Sequence, residues 1–201
     1  MIELSDYDNP FDAITDFENK LATYTGSPYA IATDCCTHAM ELCLRYLKPS
    51  ETITIPYRTY LSVPMLMHKL QLDYEIEEYE WEGRYQLGNT SIWDSARMLE
   101  VNMYLPDQFQ CLSFGRTKPL EIGRGGAILT DTKEAYEWFK KASYDGRDIS
   151  ISPWQDQKEF QVGYHYMMRP EECIDGINGF GNINNAYSHT YPDIRKINIA
   201  S

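Results

Sequence analysis

Tyr29-Ala30-Ile31-Ala32-Thr33-Asp34-Cys35-Cys36-Thr37 begins as a short apolar run and breaks into a polar turn, after which Met40, Cys43, Leu44 and Leu47 recur at helical spacing. The pattern predicts a strand, a turn and a helix. On its N-terminal side, Phe11, Ile14, Phe17, Leu21 and Tyr24 form the stripe of an amphipathic helix over 10–24, stopped by Gly26. On its C-terminal side, Pro49 closes the second helix and Thr52-Ile53-Thr54-Ile55 is a β-branched strand halted by Pro56. Residues 61–70 read as a helix with Pro64 near its first turn, where proline is tolerated. Further strands are expected at 74–79, 90–93, 111–114 and 127–130, and Asp131 is placed to cap a helix carrying Tyr136, Phe139 and Lys140. Residues 144–169 read as an aromatic loop region, and 170 to about 187 as one last helix, weakened by Gly176, Gly179 and Gly181. Alternating strands and helices predict an α/β layered fold.

The 201 residues fit one ordinary globular domain, and 43% hydrophobic with 24% charged residues leaves no compositional case for disorder. Thirty acidic side chains against 18 basic ones give a net charge of −12, a surface that repels phosphate backbones and anionic lipid, so neither nucleic acid nor a membrane is expected as a partner. The acidic start MIELSDYDNPFD lacks the features of a secretory signal, and no stretch approaches the ~18 apolar residues of a membrane span. A cytoplasmic location is expected. Five cysteines, with no C-x-x-C pair, read as reduced and mostly buried thiols, and no metal site is expected.

In an α/β sheet, ligands bind beyond the carboxyl ends of strands, and three such ends carry candidate chemistry. At Asp34-Cys35-Cys36-Thr37, backbone N–H groups and the Thr37 hydroxyl suit a phosphate, although a helix cap is the commoner role for such a threonine. Asp94, at the end of Ile92-Trp93, is either a buried carboxylate in need of a cationic nitrogen or a capping turn residue. Lys118, in Ser113-Phe114-Gly115-Arg116-Thr117-Lys118-Pro119, is either a nucleophilic amine beside an anion site or a surface lysine.

Taken in order, Thr37, Tyr60, Asp94, Ser113 and Lys118 resemble the pattern of the DegT/DnrJ/EryC1/StrS sugar aminotransferases, pyridoxal-phosphate (PLP) enzymes of the aspartate-aminotransferase fold, fold type I. The resemblance runs from Phe17-Glu18-Asn19-Lys20-Leu21 through Ile55-Pro56-Tyr57-Arg58-Thr59-Tyr60 and Ile92-Trp93-Asp94-Ser95-Ala96-Arg97 to Gly125-Gly126-Ala127-Ile128-Leu129-Thr130-Asp131 and Gly163-Tyr164-His165-Tyr166. It implies a mostly parallel sheet flanked by helices, with Lys118 as the Schiff-base and proton-moving lysine and Asp94 on the pyridine nitrogen. Tyr60 would stack on the ring, and Cys36, Thr37 and Ser113 would hold the phosphate, Cys36 standing where the family has glycine. Arg97 replaces the family's usual glutamine, and three placements stay open: beside the cofactor's phenolic oxygen, on a substrate carboxylate, or pointing outward. His165 stands where relatives have an asparagine that reaches the cofactor phosphate of the neighbouring subunit.

The resemblance also implies departures from the family. Asp94 follows Pro56 by only 38 positions, so one βα unit of the relatives is deleted, and residues 1–201 form a single abbreviated PLP-binding domain without the relatives' small C-terminal domain. The implied activity is an aminotransferase moving an amino group from an amino-acid donor such as glutamate to a keto compound such as a nucleotide-linked keto sugar, in a homodimer with shared active sites. The alternative is a noncatalytic or regulatory homodimer that keeps the PLP-binding fold. Lys118 speaks against the dehydratases of the family, which use histidine there.

Overall fold

The computed structural model of the protein describes residues 1–185 and 191–198. Helix α1 spans Asp12–Thr25 and buries Ala13, Ile14, Phe17 and Leu21, the expected stripe, before Gly26 ends it with a left-handed φ of 74°. Strand β1 (Tyr29–Thr33) runs through the polar turn into α2 (Cys36–Leu47), followed by β2 (Ile53–Pro56), α3 (Ser62–Leu70) and β3 (Tyr74–Glu77). Then come β4 (Tyr85–Gln86), β5 (Ile92–Asp94), β6 (Phe109–Ser113), β7 (Gly126–Thr130), α4 (Lys133–Ala142) and α5 (Pro170–Gly179). Thr132, not Asp131, occupies the N-cap position of α4; the Asp131 carboxylate accepts instead from the Asp107 N–H at 2.9 Å. Helix α5 gives way to a short 3-10 turn at Phe180–Asn182, and the final positions expected in that helix, 186–187, lie outside the described residues. No helix among the described residues is long and apolar enough to cross a membrane.

The strands form a five-stranded sheet in the order β1-β7-β6-β5-β4 and a separate pair, β2-β3. Alternation along the central strands divides the interior in two. Ile31, Cys111 and Ile128 face a core shared with Met40, Leu44, Ile55 and Phe139, while Ala32, Leu112 and Ala127 face one shared with Phe17, Leu21, Cys173 and Ile177. Helices therefore cover both faces, as the α/β reading requires.

The expectation of a mostly parallel sheet needs correction. Strand β1 with β7, β7 with β6, and β5 with β4 pair antiparallel, whereas β5 with β6 and β2 with β3 pair parallel. The paths of the connections set these directions: the short β4–β5 turn returns the chain directly and reverses it, whereas the longer loop over 95–108 carries the chain back so that β5 and β6 run parallel. The β4–β5 turn lies against the backbone of β2. A Cβ at Gly88, where φ is 54°, would meet the Thr54 nitrogen at 2.7 Å, so only glycine allows this approach.

Two buried carboxylates tie helices together. Glu18 on α1 accepts from Lys140 on α4 at 2.9 and 2.8 Å and from the Ala32 N–H of β1 at 2.9 Å. Glu41 on α2 accepts from Arg45 at 2.8 Å and Lys69 at 2.7 Å. Removing Lys140 strands the buried Glu18 charge, which costs about 3–5 kcal/mol, whereas Glu41 keeps a second cation when either of its partners is lost. All five cysteines are free, and all but Cys35 are buried.

Candidate active site

Strand ends and helix starts converge on one cavity of about 400 Å³, whose lining includes Cys36, Thr37, Tyr60, Asp94, Arg97, Ser113, Lys118 and Tyr191. Thr37 lies in the first turn of α2, Asp94 ends β5, Ser113 ends β6, and Lys118 sits in the connection from β6 to β7. Seven of the eight residues singled out from sequence thus meet in one place. His165 does not join them. Its side chain is 81% exposed and pairs with Asp145, Nδ1 lying 3.1 Å from the carboxylate.

Asp94 is 6% exposed. Its Oδ1 accepts from the Ala96 N–H at 2.9 Å and its Oδ2 from the Tyr85 hydroxyl at 3.0 Å. The Tyr85 hydroxyl lies 2.6 Å from that of Thr59, so a chain of hydroxyls backs the carboxylate. Burial pushes the Asp94 carboxyl up from its ordinary range, opposed by the Ala96 N–H, the nearby Lys118 charge and the Tyr85 hydroxyl. Burial, with the Asp94 charge adding to it, pushes the Cys36 thiol well above its ordinary value, so the sulfur entering the cavity is neutral.

Lys118 Nζ donates to the Tyr191 hydroxyl at 3.0 Å. Arg97 is buried, lines the cavity, and donates from Nη1 to the Thr117 carbonyl at 3.1 Å; the outward placement left open by the sequence is thereby excluded. The Thr37 hydroxyl donates to Ser62 at the start of α3 at 2.8 Å. The Cys35-Cys36 turn packs against β7 at a glycine. At Gly126 on β7 a Cβ would lie 2.4 Å from the Cys36 nitrogen, so the turn seats directly on that strand.

Beside the cavity, His38 Nδ1 lies 2.6 Å from Asp34, whose other oxygen accepts from Arg124 at 2.9 Å, and the His38 ring stacks on Tyr166 at 3.7 Å. Burial alone would lower the His38 pKa, but hydrogen bonds to Asp34 and Cys35 override it and raise it from 6.5 to about 9. Burial likewise works against Asp34, yet His38 and Arg124 hold its carboxyl below the usual 3.8. A raised histidine contributes stability that is complete below pH 6.5 and lost as pH climbs through about 9; a depressed carboxyl contributes above pH 3.8 and loses its share as pH falls through its folded value. Urea midpoints of the wild type should therefore exceed those of His38→Gln most below pH 6.5, and the two series should converge above pH 9. A gap independent of pH would contradict the pairing.

Tyr85 and Tyr191 were not legible as site residues. Tyr85 lies in a two-residue strand, too short for a period, and Tyr191 follows no hydrophobic pattern at all.

The fold has counterparts among solved structures. Over 86% of its length the chain superposes on 3-amino-5-hydroxybenzoic acid synthase with a TM-score of 0.68 at 18% identity. Over 85% it superposes on the PLP form of Spr1654 from Streptococcus pneumoniae (TM-score 0.68, 16% identity) and on the sugar aminotransferase CalS13 from Micromonospora echinospora (0.66, 11%). The fold is therefore an abbreviated fold type I α/β domain. Residues 5–71 match the sequence model of the DegT/DnrJ/EryC1/StrS aminotransferase family, which bears out the resemblance read from the sequence. The chain spans 56%, 59% and 60% of the length of those three solved chains. No curated protein matches it.

Proposed function

We propose that this chain is the cofactor-binding core of a PLP-dependent aminotransferase. It would move an amino group from an amino-acid donor such as glutamate to a keto compound, with a nucleotide-linked keto sugar as the acceptor class. The observation that carries the reading is the meeting of a lysine amine and a buried carboxylate in one cavity also lined by Thr37 and Ser113. That donor set fits PLP. Asp94 offers a fixed negative charge to a protonated ring nitrogen, Thr37, Ser113 and the start of α2 offer donors to a phosphate, and Lys118 offers an amine to an aldehyde. Bound there, PLP supplies an electron sink for the pair left when a substrate Cα–H bond breaks.

The chain's own residues supply the rest. Ala96 N–H and Tyr85 hold Asp94 in place, so its charge costs no reorganisation when it is needed. Lys118 Nζ would be the group that takes and returns a proton at the donor's Cα. The Tyr60 ring, 59% exposed, is available for stacking on a planar ligand. Arg97, a permanent cation in the cavity wall, suits either a phenolate oxygen or a substrate carboxylate. His165 has the exposure that a residue reaching a second subunit's phosphate needs, which supports a homodimer with shared sites.

The test is to add PLP to the purified chain, reduce with borohydride, and map the adduct by mass spectrometry. The expected result is a visible absorbance band, an adduct on Lys118, and conversion to the pyridoxamine form when glutamate is supplied. A chain that stays colourless and unmodified overturns the proposal. A band unmoved by any amino donor would support the regulatory alternative.

A further inference from the structure

We propose that Tyr191 is a positioning residue for Lys118, delivered into the cavity by the segment 191–198. The segment is fixed against the end of β2. Ile194 is 4% exposed within the core, and its N–H donates to the Tyr57 carbonyl at 2.9 Å. The Asp193 backbone pairs antiparallel with that of Arg58 in an isolated β-bridge, and the Arg195 guanidinium lies 4.7 Å from the Tyr57 ring centroid while donating to Glu78 at 2.7 Å. Anchored in this way, Tyr191 is 9% exposed, with its ring stacked on Trp81 at 6.0 Å and 23°. Trp81 is itself held by donation from Nε1 to the Arg58 carbonyl at 2.7 Å. The phenol oxygen therefore has a fixed location, and it accepts from Lys118 Nζ at 3.0 Å.

A lysine has four side-chain torsions and loses much rotamer entropy when it is held. A rigid acceptor at the end of that chain selects one placement of the amine in advance. A group that must leave the cofactor, move a proton and return gains most from such a resting point. The phenol's own hydrogen is then directed away from the amine, and its oxygen is the end that Lys118 meets.

The inference rests on Lys118 being the working amine of the proposed function, yet its test needs no PLP. The full chain is methylated with formaldehyde and cyanoborohydride, and the rate at each lysine is read by mass spectrometry, the remaining lysines serving as internal controls. Tyr191→Phe keeps the ring stacked on Trp81 and removes only the oxygen. The expected result is a Lys118 rate changed by about threefold or more, with the other lysines and the melting temperature unchanged. Tyr191→Phe with a wild-type Lys118 rate overturns the assignment, whatever the outcome with PLP. The reciprocal measurement guards against a folding defect. In Lys118→Met, nitration of Tyr191 should change relative to the other tyrosines, and an unchanged rate there likewise counts against the contact.

Discussion

Lys118→Ala is expected to abolish covalent attachment of PLP and to lower any transamination by at least about 10³-fold, the order lost when a covalent nucleophile is removed. Among the described residues no other lysine lines the cavity, and the guanidinium groups of Arg97 and Arg116 are poor nucleophiles toward an aldehyde. The fold should survive, because Lys118 lies in a connection rather than in a core element and its side-chain amine donates to Tyr191 rather than to a core residue's backbone. Absorbance after addition of PLP, with borohydride trapping, checks the first half; donor-dependent formation of pyridoxamine phosphate checks the second. An adduct of undiminished yield at another lysine would remove Lys118 from its assigned place.

Asp94→Asn should behave differently. The amide oxygen can still accept from the Ala96 N–H, but the amide nitrogen faces the Tyr85 hydroxyl and forces the hydroxyl chain to Thr59 to reverse. Loss of one charged acceptor of this kind costs roughly 1.5–3 kcal/mol of stability. The larger effect falls on chemistry. A neutral amide cannot hold a ring nitrogen in its protonated form, so the electron sink weakens while the lysine remains free to attach. The expected result is an absorbance band close to wild type with turnover reduced about 10²- to 10³-fold, or ~3–4 kcal/mol of transition-state stabilisation. Loss of attachment in one variant and its retention in the other separates the two roles. Wild-type turnover in Asp94→Asn would show that the carboxylate faces something other than the ring.

Much of the architecture was readable from local pattern. The stripe from Phe11 to Tyr24 became α1, the apolar run at Tyr29 became β1, and the strands ending at Asp94 and Ser113 lie with those residues at one cavity. Those features depend on periodicity and on residues next to one another in sequence. What escaped depends on distance. Tyr191 meets Lys118 across 73 positions, and Tyr85 meets Asp94 through a hairpin whose first strand has two residues. Sheet polarity escaped for a similar reason, since strand direction follows from the path of the connections and not from the composition of the strands. Cys36 and Arg97 were recognisable only as departures from a family pattern. Their packing then showed a buried thiol and an inward-facing guanidinium, placements that no spacing encodes.

The division of the strands into two sheets bears on how the cavity opens. Tyr60, Ser62 and Val63 belong to the wall that follows β2, whereas Asp94, Ser113 and Lys118 belong to the wall built on β5, β6 and the connection after it. No backbone ladder spans the seam among the described residues. It is crossed by side chains, including the hydroxyl pair of Thr59 and Tyr85 and the tilted rings of Trp81 and Tyr85. Side-chain contacts yield to a small sliding motion more readily than a ladder does, so the gap between the two walls can adjust to the thickness of what enters while each sheet keeps its register.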